Sequence, residues 1–313
     1  MAEKQSLSRD EKSWILYDVG NSAFVLVMVT AIMPIYFKDV AAQGLPSAVS
    51  TAHWGFANSA AALVLAVLAP MLGTLADYRD SKKRFFLFFL AIGLIFTLAL
   101  SFITVGQWLL CLLLFVCARV GWAGANIFYD AFLVDVTTRQ RMDMVSAKGY
   151  ALGYIGSVIP FIVVIVLILA AGLDSGLPVK QVRFGFVVVA LWWFILSIPA
   201  IRNMKQVHFL PVPKSPVISS FQRLAATFRN IKEHRQPFLF LVAYFFYIDG
   251  VGTIISMSTA YGRDLGFGVT LLIVVLLFIQ IIAFPCTLLY GKLSEKFTTK
   301  SLLMTGICIY CLV

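Results

Sequence analysis

Five ionisable residues lie inside or at the ends of long apolar stretches of the sequence: Asp18, Arg119, Asp130, Asp135 and Asp249. A charged side chain is costly in the hydrocarbon core of a membrane, so such residues usually face a cavity and mark the path of a solute or a proton. A carboxylate in that setting can hold a proton, bind a cation or pair with an arginine. These residues therefore predict a site that binds a solute or transfers a proton within the membrane.

Asp249 lies twelve residues into the seventh apolar stretch. At the helical rise this depth is about 18 Å, close to the membrane midplane. Thr253 and Ser256 follow at helical spacing and share its face, and Gly250 and Gly252 loosen the helix beside it. We expect Asp249 to take up a proton or bind a substrate ammonium together with Thr253. The alternative is a structural hydrogen bond that caps a broken helix.

Asp18 lies about one turn into the first apolar stretch, and Asn21 and Ser22 share its helix face. This shallow position permits contact with water at the membrane surface, so a coupling role and a structural role are both open. Asp135 lies at the end of the fourth stretch, where a gate or a loop contact is expected.

Arg119 lies near the middle of the fourth stretch, and Asn126 and Asp130 follow on nearly the same face. A buried arginine needs a partner, which we expect among Asp18, Asp130 and nearby carbonyl groups. The pair is either purely structural or takes part in proton coupling or in binding a substrate carboxylate, for which the planar guanidinium is suited.

Three glycines, Gly149, Gly153 and Gly156, recur at helical spacing in the fifth stretch and are followed by Pro160. Such a stripe favours close helix packing. A hinge is the alternative.

Eight apolar stretches are long enough to cross a hydrocarbon core, which needs about 20 residues. A ninth begins at Ser301 and stops at Val313. The predicted spans are Trp14–Phe37, Trp54–Tyr78, Phe85–Thr104, Trp108–Val136, Lys148–Gly172, Phe184–Ile201, Pro237–Tyr261 and Val269–Tyr290. The chain is 60% hydrophobic with only 13% charged residues, which predicts an all-α, polytopic membrane protein.

The positive charge is distributed unevenly over the loops. Of the 25 lysines and arginines, 20 fall on one set of alternating loops, four on the other set and one inside a span. Because cytoplasmic loops carry the excess of basic residues, this predicts a cytoplasmic N-terminus in the cell (inner) membrane. The net charge of +10 then reflects topology, and we expect no nucleic acid partner.

The longest polar connection divides the chain. Residues 1–203 are predicted to form a six-helix bundle, 204–236 a cytoplasmic linker and 237–313 a partial second bundle. Within the linker, apolar residues recur at helical spacing among basic ones, which predicts an amphipathic helix on the lipid bilayer surface. Those apolar residues are Val217, Phe221, Leu224, Phe228 and Ile231.

The turn GTLADYRDSKKR connects the second and third spans from Gly73 to Arg84. A related stretch, GKLSEKFTTK, follows the eighth span from Gly291 to Lys300, six spans later. Repeated six-span halves are typical of one transporter architecture. The residues expected to form a conformational latch are Gly73, Asp77, Arg79, Lys83 and Arg84 in the first copy and Gly291 and Glu295 in the second.

The first of these turns resembles the signature loop of the major facilitator superfamily. Arg119 to Gly124 partly resembles a second motif of that superfamily, with its glycines displaced. Four further motifs resemble the bacterial branch of the family that contains the vacuolar amino-acid effluxer of autophagy. They are WILYDVGNSAF (Trp14 to Phe24), NIFYDAFLVD (Asn126 to Asp135), SAKGYALGYIG (Ser146 to Gly156) and AYFFYIDGVGTI (Ala243 to Ile254).

The resemblance covers the whole chain and implies a secondary transporter with two six-helix bundles that works by alternating access. Its solute would be a small molecule, with amino acids suggested by the eukaryotic relative, and a gradient, such as that of protons, would drive it. The resemblance also implies four spans beyond those seen, so the sequence is expected to be C-terminally incomplete, and the latch partner from the eleventh span is expected to be missing.

Enzymatic and cofactor signals are missing from the sequence. The five cysteines lie in apolar stretches, and no nucleotide-binding, metal-binding or nucleophile motif occurs. We expect no enzyme, no cofactor and no metal. The alternative function is that of a truncated, non-transporting membrane paralogue that acts as an interaction or regulatory subunit.

Overall fold

The computed structural model describes residues 6–172, 176–213, 215–230, 235–293 and 296–312. Within these ranges the chain forms ten long helices, a short 3-10 turn at Arg139–Arg141 before α5, and no β-strand. Their bounds are α1 Arg9–Ala41, α2 Ser47–Ala76, α3 Ser81–Leu100, α4 Trp108–Val136, α5 Met142–Ala171, α6 Val179–Asn203, α7 Pro216–Arg229, α8 Arg235–Asp264, α9 Val269–Leu293 and α10 Thr299–Leu312.

Eight of these helices are long and apolar enough to span a membrane, namely α1–α6, α8 and α9. The predicted all-α, multi-pass membrane fold is confirmed. Most helices extend beyond the predicted spans; α1, for example, begins at Arg9, five residues before the first predicted apolar residue. The reason is a capping box, in which Glu11 and Ser8 exchange hydrogen bonds of 3.1 and 2.8 Å with each other's backbone.

Helix α1 forms the centre of the first bundle. In its most apolar 18-residue stretch, 78% of the residues are buried. The helix packs against both α5 and α6. Two π-helical segments, Val25–Ala31 and Phe37–Ala41, flank Pro34. Because proline has no N–H, Pro34 cannot bond to the carbonyl of Thr30. That carbonyl accepts a hydrogen bond from the Thr259 hydroxyl of α8 instead.

Glycines allow two pairs of helices, α3 with α4 and α5 with α1, to approach each other closely. A Cβ atom on Gly121 would lie 2.6 Å from Gly93 Cα, so these two glycines set the spacing of α3 and α4. A Cβ on Gly149 would lie 2.7 Å from a ring carbon of Trp14, and one on Gly153 would lie 2.6 Å from Ser22 Oγ. A Cβ on Gly156 would lie 2.3 Å from Val19 Cγ1 of α1, so the predicted packing role of the stripe in α5 is borne out for all three glycines.

The linker lies against the turn between α2 and α3. Leu210 pairs with Tyr78 in an isolated parallel bridge, in which Leu210 N donates to Asp77 O at 2.7 Å and Arg79 N donates to Leu210 O at 3.2 Å. Asp80 adopts a left-handed conformation with φ 60°, which aspartate tolerates better than most residues. We call the membrane side of this turn the linker side.

Helices α8 and α9 begin the second half. Helix α9 packs along α5, and a Cβ on Gly291 would lie 3.0 Å from Ala147 Cβ of α5. Helix α8 contacts α1 and α2 near its C-terminal end, where Trp54 Nε1 donates to Ser256 O at 2.9 Å. Its first half, around Tyr244 and Phe246, is exposed. Helix α8 therefore meets α1 and α2 on the side opposite to the linker, whereas α9 stays in contact with α5 as far as Gly291. We call the space beside the exposed first half of α8 the gap between the two halves.

Candidate functional site

Asp18 is held in place by hydrogen bonds within the first bundle. Asn21 donates from Nδ2 to Asp18 Oδ1 and to Tyr17 O, both at 3.3 Å. Trp122 of α4 donates from Nε1 to Asn21 Oδ1 at 3.2 Å. Asp18 and Asn21 are both buried. The amide of Asn21 thus connects α4 to the carboxylate, and the carboxylate cannot turn freely.

The second oxygen of Asp18 faces α5. Cβ atoms built on Gly149 and Gly153 would lie 3.2 and 3.4 Å from Asp18 Oδ2. A side chain at either position would therefore crowd this oxygen. The glycine stripe packs the two helices and also leaves the space in which the carboxylate lies.

Aromatic rings surround Asp18. Trp14 stacks on Tyr129 with ring centroids 4.3 Å apart and donates from Nε1 to Tyr129 O at 3.0 Å. Tyr17 lies 4.7 Å from the Tyr129 ring. The buried hydroxyl of Tyr129 has no hydrogen-bond partner among the described residues, although Asp18 and Asp130 both lie within its electrostatic range. A polar group left in this state is suited to a ligand or water.

Asp130 of α4 lies within electrostatic range of Asp18 of α1, and it directly follows Tyr129, whose ring stacks on Trp14 of α1. Tyr150 of α5 interacts electrostatically with both, and Tyr154, one turn later, interacts with Asp18. We call the set Asp18, Tyr129, Asp130, Tyr150 and Tyr154 the acid–tyrosine cluster. Asp130 and Tyr150 are exposed, so the cluster opens at the surface of the first half.

The second half contributes tyrosines to the same region. Tyr244 of α8 lies within electrostatic range of Tyr150, and Tyr310 of α10 lies within range of Tyr154. Tyr247 contacts Tyr310 edge to face, with ring centroids 6.5 Å apart. The cluster therefore lies within electrostatic range of tyrosines of the second half. Only the spacing of Tyr150 and Tyr154, four residues apart on one helix face, could have signalled these tyrosines in the sequence.

Of the expected kinds of partner, Arg119 takes a carbonyl group in place of the carboxylates Asp18 and Asp130. Its Nη1 donates to Asn58 Oδ1 of α2. The reason is the crossing of α2 and α4, where the rings of Trp54 and Phe115 lie 4.4 Å apart. Asn58 and Arg119 each follow these aromatic residues by four positions, so they meet one turn later. Asn126, farther along α4, has a buried Oδ1 without a hydrogen-bond partner in the described chain.

Asp249 and Thr253 are exposed on α8, before the part of the helix that contacts α1 and α2. The hydroxyl of Ser256 donates to Gly252 O at 2.8 Å and to Thr253 O at 3.3 Å. These bonds stay within α8 and bring no group of the first half to Asp249. The role expected for Asp249 and Thr253 stays a prediction.

The turn from Gly73 to Arg84, which we call the latch turn, contacts the linker. Asp77 pairs with Arg223 of α7 at 3.1 Å, Arg79 lies over the Phe209 ring, and Lys83 donates to Met204 O at 3.2 Å. A Cβ on Gly73 would meet no atom within 4 Å. Arg84 is exposed, and Glu295 lies outside the described residues. The latch role stays a prediction.

Asp135 makes the contact with a loop that was expected at the end of α4. Lys82 pairs with its Oδ2 at 2.6 Å, and the backbone N–H groups of Val207 and His208 donate to its Oδ1 at 3.1 and 2.8 Å. The Asp135 side chain is fully enclosed. It joins α3, α4 and the linker, and no pattern in the sequence points to Lys82 as its partner.

Comparisons with known proteins agree with this fold. The chain matches the family described as "Vacuole effluxer Atg22 like" over residues 49–138 and 134–313. It is 47% identical over 310 residues to the MFS-type transporter YxiO of Bacillus subtilis, covering 98% of this chain and 72% of that protein. Autophagy-related protein 22-2 of Aspergillus clavatus is 27% identical over 130 residues, 38% of this chain and 21% of the fungal protein.

A solved structure shows the same fold. The crystal structure of a D-xylose-proton symporter matches with a TM-score of 0.60 at 13% identity, covering 92% of this chain and 69% of that chain. At this identity the match concerns the fold alone. The family match over most of the sequence and the 47% identity to the Bacillus protein show that the chain belongs to the Atg22-like family of major facilitator transporters.

Proposed function

We propose that this transporter exports a small solute that carries an amino group, by alternating access coupled to a proton gradient. The observation that carries the proposal is the acid–tyrosine cluster, in which Asp18 and Asp130 lie within electrostatic range of each other. Two carboxylates within range of each other repel, and a proton or an ammonium group relieves that repulsion.

The surrounding tyrosines fit such a solute. The faces of aromatic rings attract cations, and phenol hydroxyls donate to or accept from polar groups. Tyr150 and Tyr154 lie in the first half, and Tyr244 and Tyr310 lie in the second. A solute between them would contact both halves, which is the arrangement that alternating access requires.

Orientation is part of the proposal. Most lysines and arginines of the chain lie on the linker side, so we assign that side to the cytoplasm of a bacterial inner membrane. The gap beside the cluster opens on the linker side, and a solute would therefore enter from the cytoplasm. Export agrees with the family description as effluxers.

The relatives also favour transport over the alternative of a non-transporting subunit, because they are described as a transporter and as effluxers, not as enzymes or regulators. Amino acids are the first solutes to test, since they carry the ammonium group that the cluster fits.

The test uses the purified full chain in proteoliposomes that contain a mixture of the twenty common amino acids. With the external medium more acidic than the lumen, protons enter the vesicles as solute leaves. Mass spectrometry of the external medium is expected to show one or a few amino acids leaving faster than from protein-free vesicles. Equal release of every amino acid from both kinds of vesicle would contradict amino-acid export.

A further inference from the structure

Two short charged motifs end the first transmembrane helix of each half. Lys38 and Asp39 lie at the end of α1, and Arg263 and Asp264 end α8. In both motifs a tyrosine precedes the basic residue by two positions. The two motifs lie on the side opposite to the linker, where the halves touch.

The charges of the two motifs pair crosswise. Lys38 Nζ forms an ion pair with Asp264 Oδ1, and Arg263 Nη2 pairs with Asp39 Oδ2 at 2.8 Å. Each basic residue therefore takes the acid of the other motif. The halves are connected here by two ion pairs, and the basic residue belongs to the first half in one pair and to the second half in the other.

Helix α2 reinforces one of these pairs. Thr51 Oγ1 donates to Asp264 Oδ2 at 2.6 Å, and Ser47 Oγ donates to Asp264 Oδ1. Asp264 thus accepts from three side chains of the first half. Charge-assisted bonds of this kind are stronger than neutral ones, so Asp264 is the anchor of the contact.

We propose that the crossed pairs Lys38–Asp264 and Asp39–Arg263 form the gate that closes the side opposite to the linker. The proposal rests on the alternating-access function proposed above and assigns the closing of one side to named residues. When the transporter opens toward that side, α8 must move away from α1 and α2. Both ion pairs then break, together with the Trp54 and Thr259 hydrogen bonds to the backbone across the same contact.

The two pairs are not equivalent. The Lys38 side chain is 5% exposed and that of Asp264 is 24% exposed, whereas Arg263 and Asp39 are both 25% exposed. Water and salt screen an ion pair more as its exposure increases. Loss of Lys38 is therefore expected to open the gate more than loss of Arg263.

The test measures access to the gap and needs no solute. Thr253 is exposed on α8, eleven residues before Asp264, which is about 16 Å along the helix. Thr253→Cys is introduced into a chain whose five cysteines are replaced by alanine. A membrane-impermeant maleimide is then added to the face of intact cells opposite to the linker side. The labelling rate reports how often the gate is open.

Lys38→Gln and Asp264→Asn are expected to raise this rate about two- to fivefold, the shift in a two-state equilibrium that loss of one partly exposed ion pair produces. Arg263→Gln is expected to raise it less. The charge exchange Lys38→Asp with Asp264→Lys is expected to bring the rate back toward that of the parent. Lys180→Gln, an exposed lysine on the same side, serves as the control and is expected to leave the rate unchanged.

Equal labelling rates in the parent and the single variants would overturn the proposal, and so would a charge exchange that labels as fast as the singles. Single variants whose elution in detergent differs from that of the parent are left out as misfolded. The charge exchange, which keeps both charges, then decides the question. The outcome is independent of solute: faster labelling without any transport supports the gate and contradicts the function, while transport with unchanged labelling contradicts the gate alone.

Discussion

The hydroxyl of Thr259 in α8 donates a hydrogen bond to the backbone carbonyl of Thr30 in α1. That carbonyl is available because Pro34, four residues later, has no N–H to give it. A proline in the first half thus creates the acceptor that the second half uses. The π-helical segments on both sides of Pro34 follow from the same interruption, since such segments occur where the regular hydrogen-bond ladder is broken.

Glu11 is expected to matter for stability. It is buried and accepts hydrogen bonds from Arg141 at 2.7 and 2.8 Å and from Thr137 at 2.6 Å. Glu11→Gln keeps the size of the side chain and removes its charge, which breaks an enclosed ion pair and is expected to lower the free energy of unfolding by about 3 kcal/mol. Unfolding of the detergent-solubilised chain measures the change.

The matched control is the exposed neighbour Asp10. Asp10→Asn removes a charge from the same helix turn and is expected to cost less than about 1 kcal/mol, the contribution of a surface charge at a helix N-terminus. Equal losses for the two variants would show that the Glu11–Arg141 pair adds nothing beyond helix capping.

Asp80 is expected to respond to backbone freedom. It has φ 60° in the latch turn. Its side chain is 70% exposed and lies 3.9 Å from Arg79, so this ion pair contributes little to the free energy of unfolding. Asp80→Gly removes the left-handed strain and is expected to stabilise the chain by up to about 1 kcal/mol, whereas Asp80→Val is expected to destabilise it by about 1–2 kcal/mol. Thermal unfolding in detergent ranks the two variants. A more stable valine variant would contradict a left-handed conformation at this position.

The assignment of the linker side to the cytoplasm predicts one-sided labelling at Ser81. In the chain without native cysteines, Ser81→Cys is expected to react with an impermeant maleimide in inside-out vesicles and to remain unlabelled in intact cells. Ser81 begins α3 in the latch turn, where Lys82, Lys83 and Arg84 follow. Labelling in intact cells would reverse the orientation, and with it the proposed direction of export.

The sequence predicts the membrane fold well because the signals for it are local. A helix that crosses a bilayer needs only a run of apolar residues, and each of the eight predicted spans lies within or close to a described helix. The packing of the glycine stripe was equally local, since a helix without side chains on one face permits close approach. The start of α1 was missed because a capping box acts on polar residues, which a search for apolar runs ignores.

The partners within the site depend on how distant helices cross. Arg119 was expected to pair with Asp18, Asp130 or a nearby carbonyl group. It bonds to the side-chain carbonyl of Asn58, because the packing of Trp54 against Phe115 decides which faces of α2 and α4 meet. Lys82 and Asp135 lie 53 residues apart, and no periodicity in the sequence connects them. Asp18 was singled out by the cost of a charge in an apolar stretch, and its role stays a prediction. Asp130 comes within its electrostatic range only through tertiary packing.

The most direct test of the account is proton movement that depends on solute and on Asp18. Proteoliposomes with the full chain, an internal pH-sensitive dye and the amino acids released in the export assay are placed under an outward solute gradient without a pH gradient. Solute leaving in exchange for protons is expected to acidify the lumen. Asp18→Asn is expected to reduce this acidification at least tenfold, because an amide at position 18 cannot take up and release a proton. Asp10→Asn, at an exposed position outside the cluster, is expected to leave the acidification unchanged. Acidification by Asp18→Asn at the rate of the parent would contradict the assignment of the acid–tyrosine cluster as the coupling site.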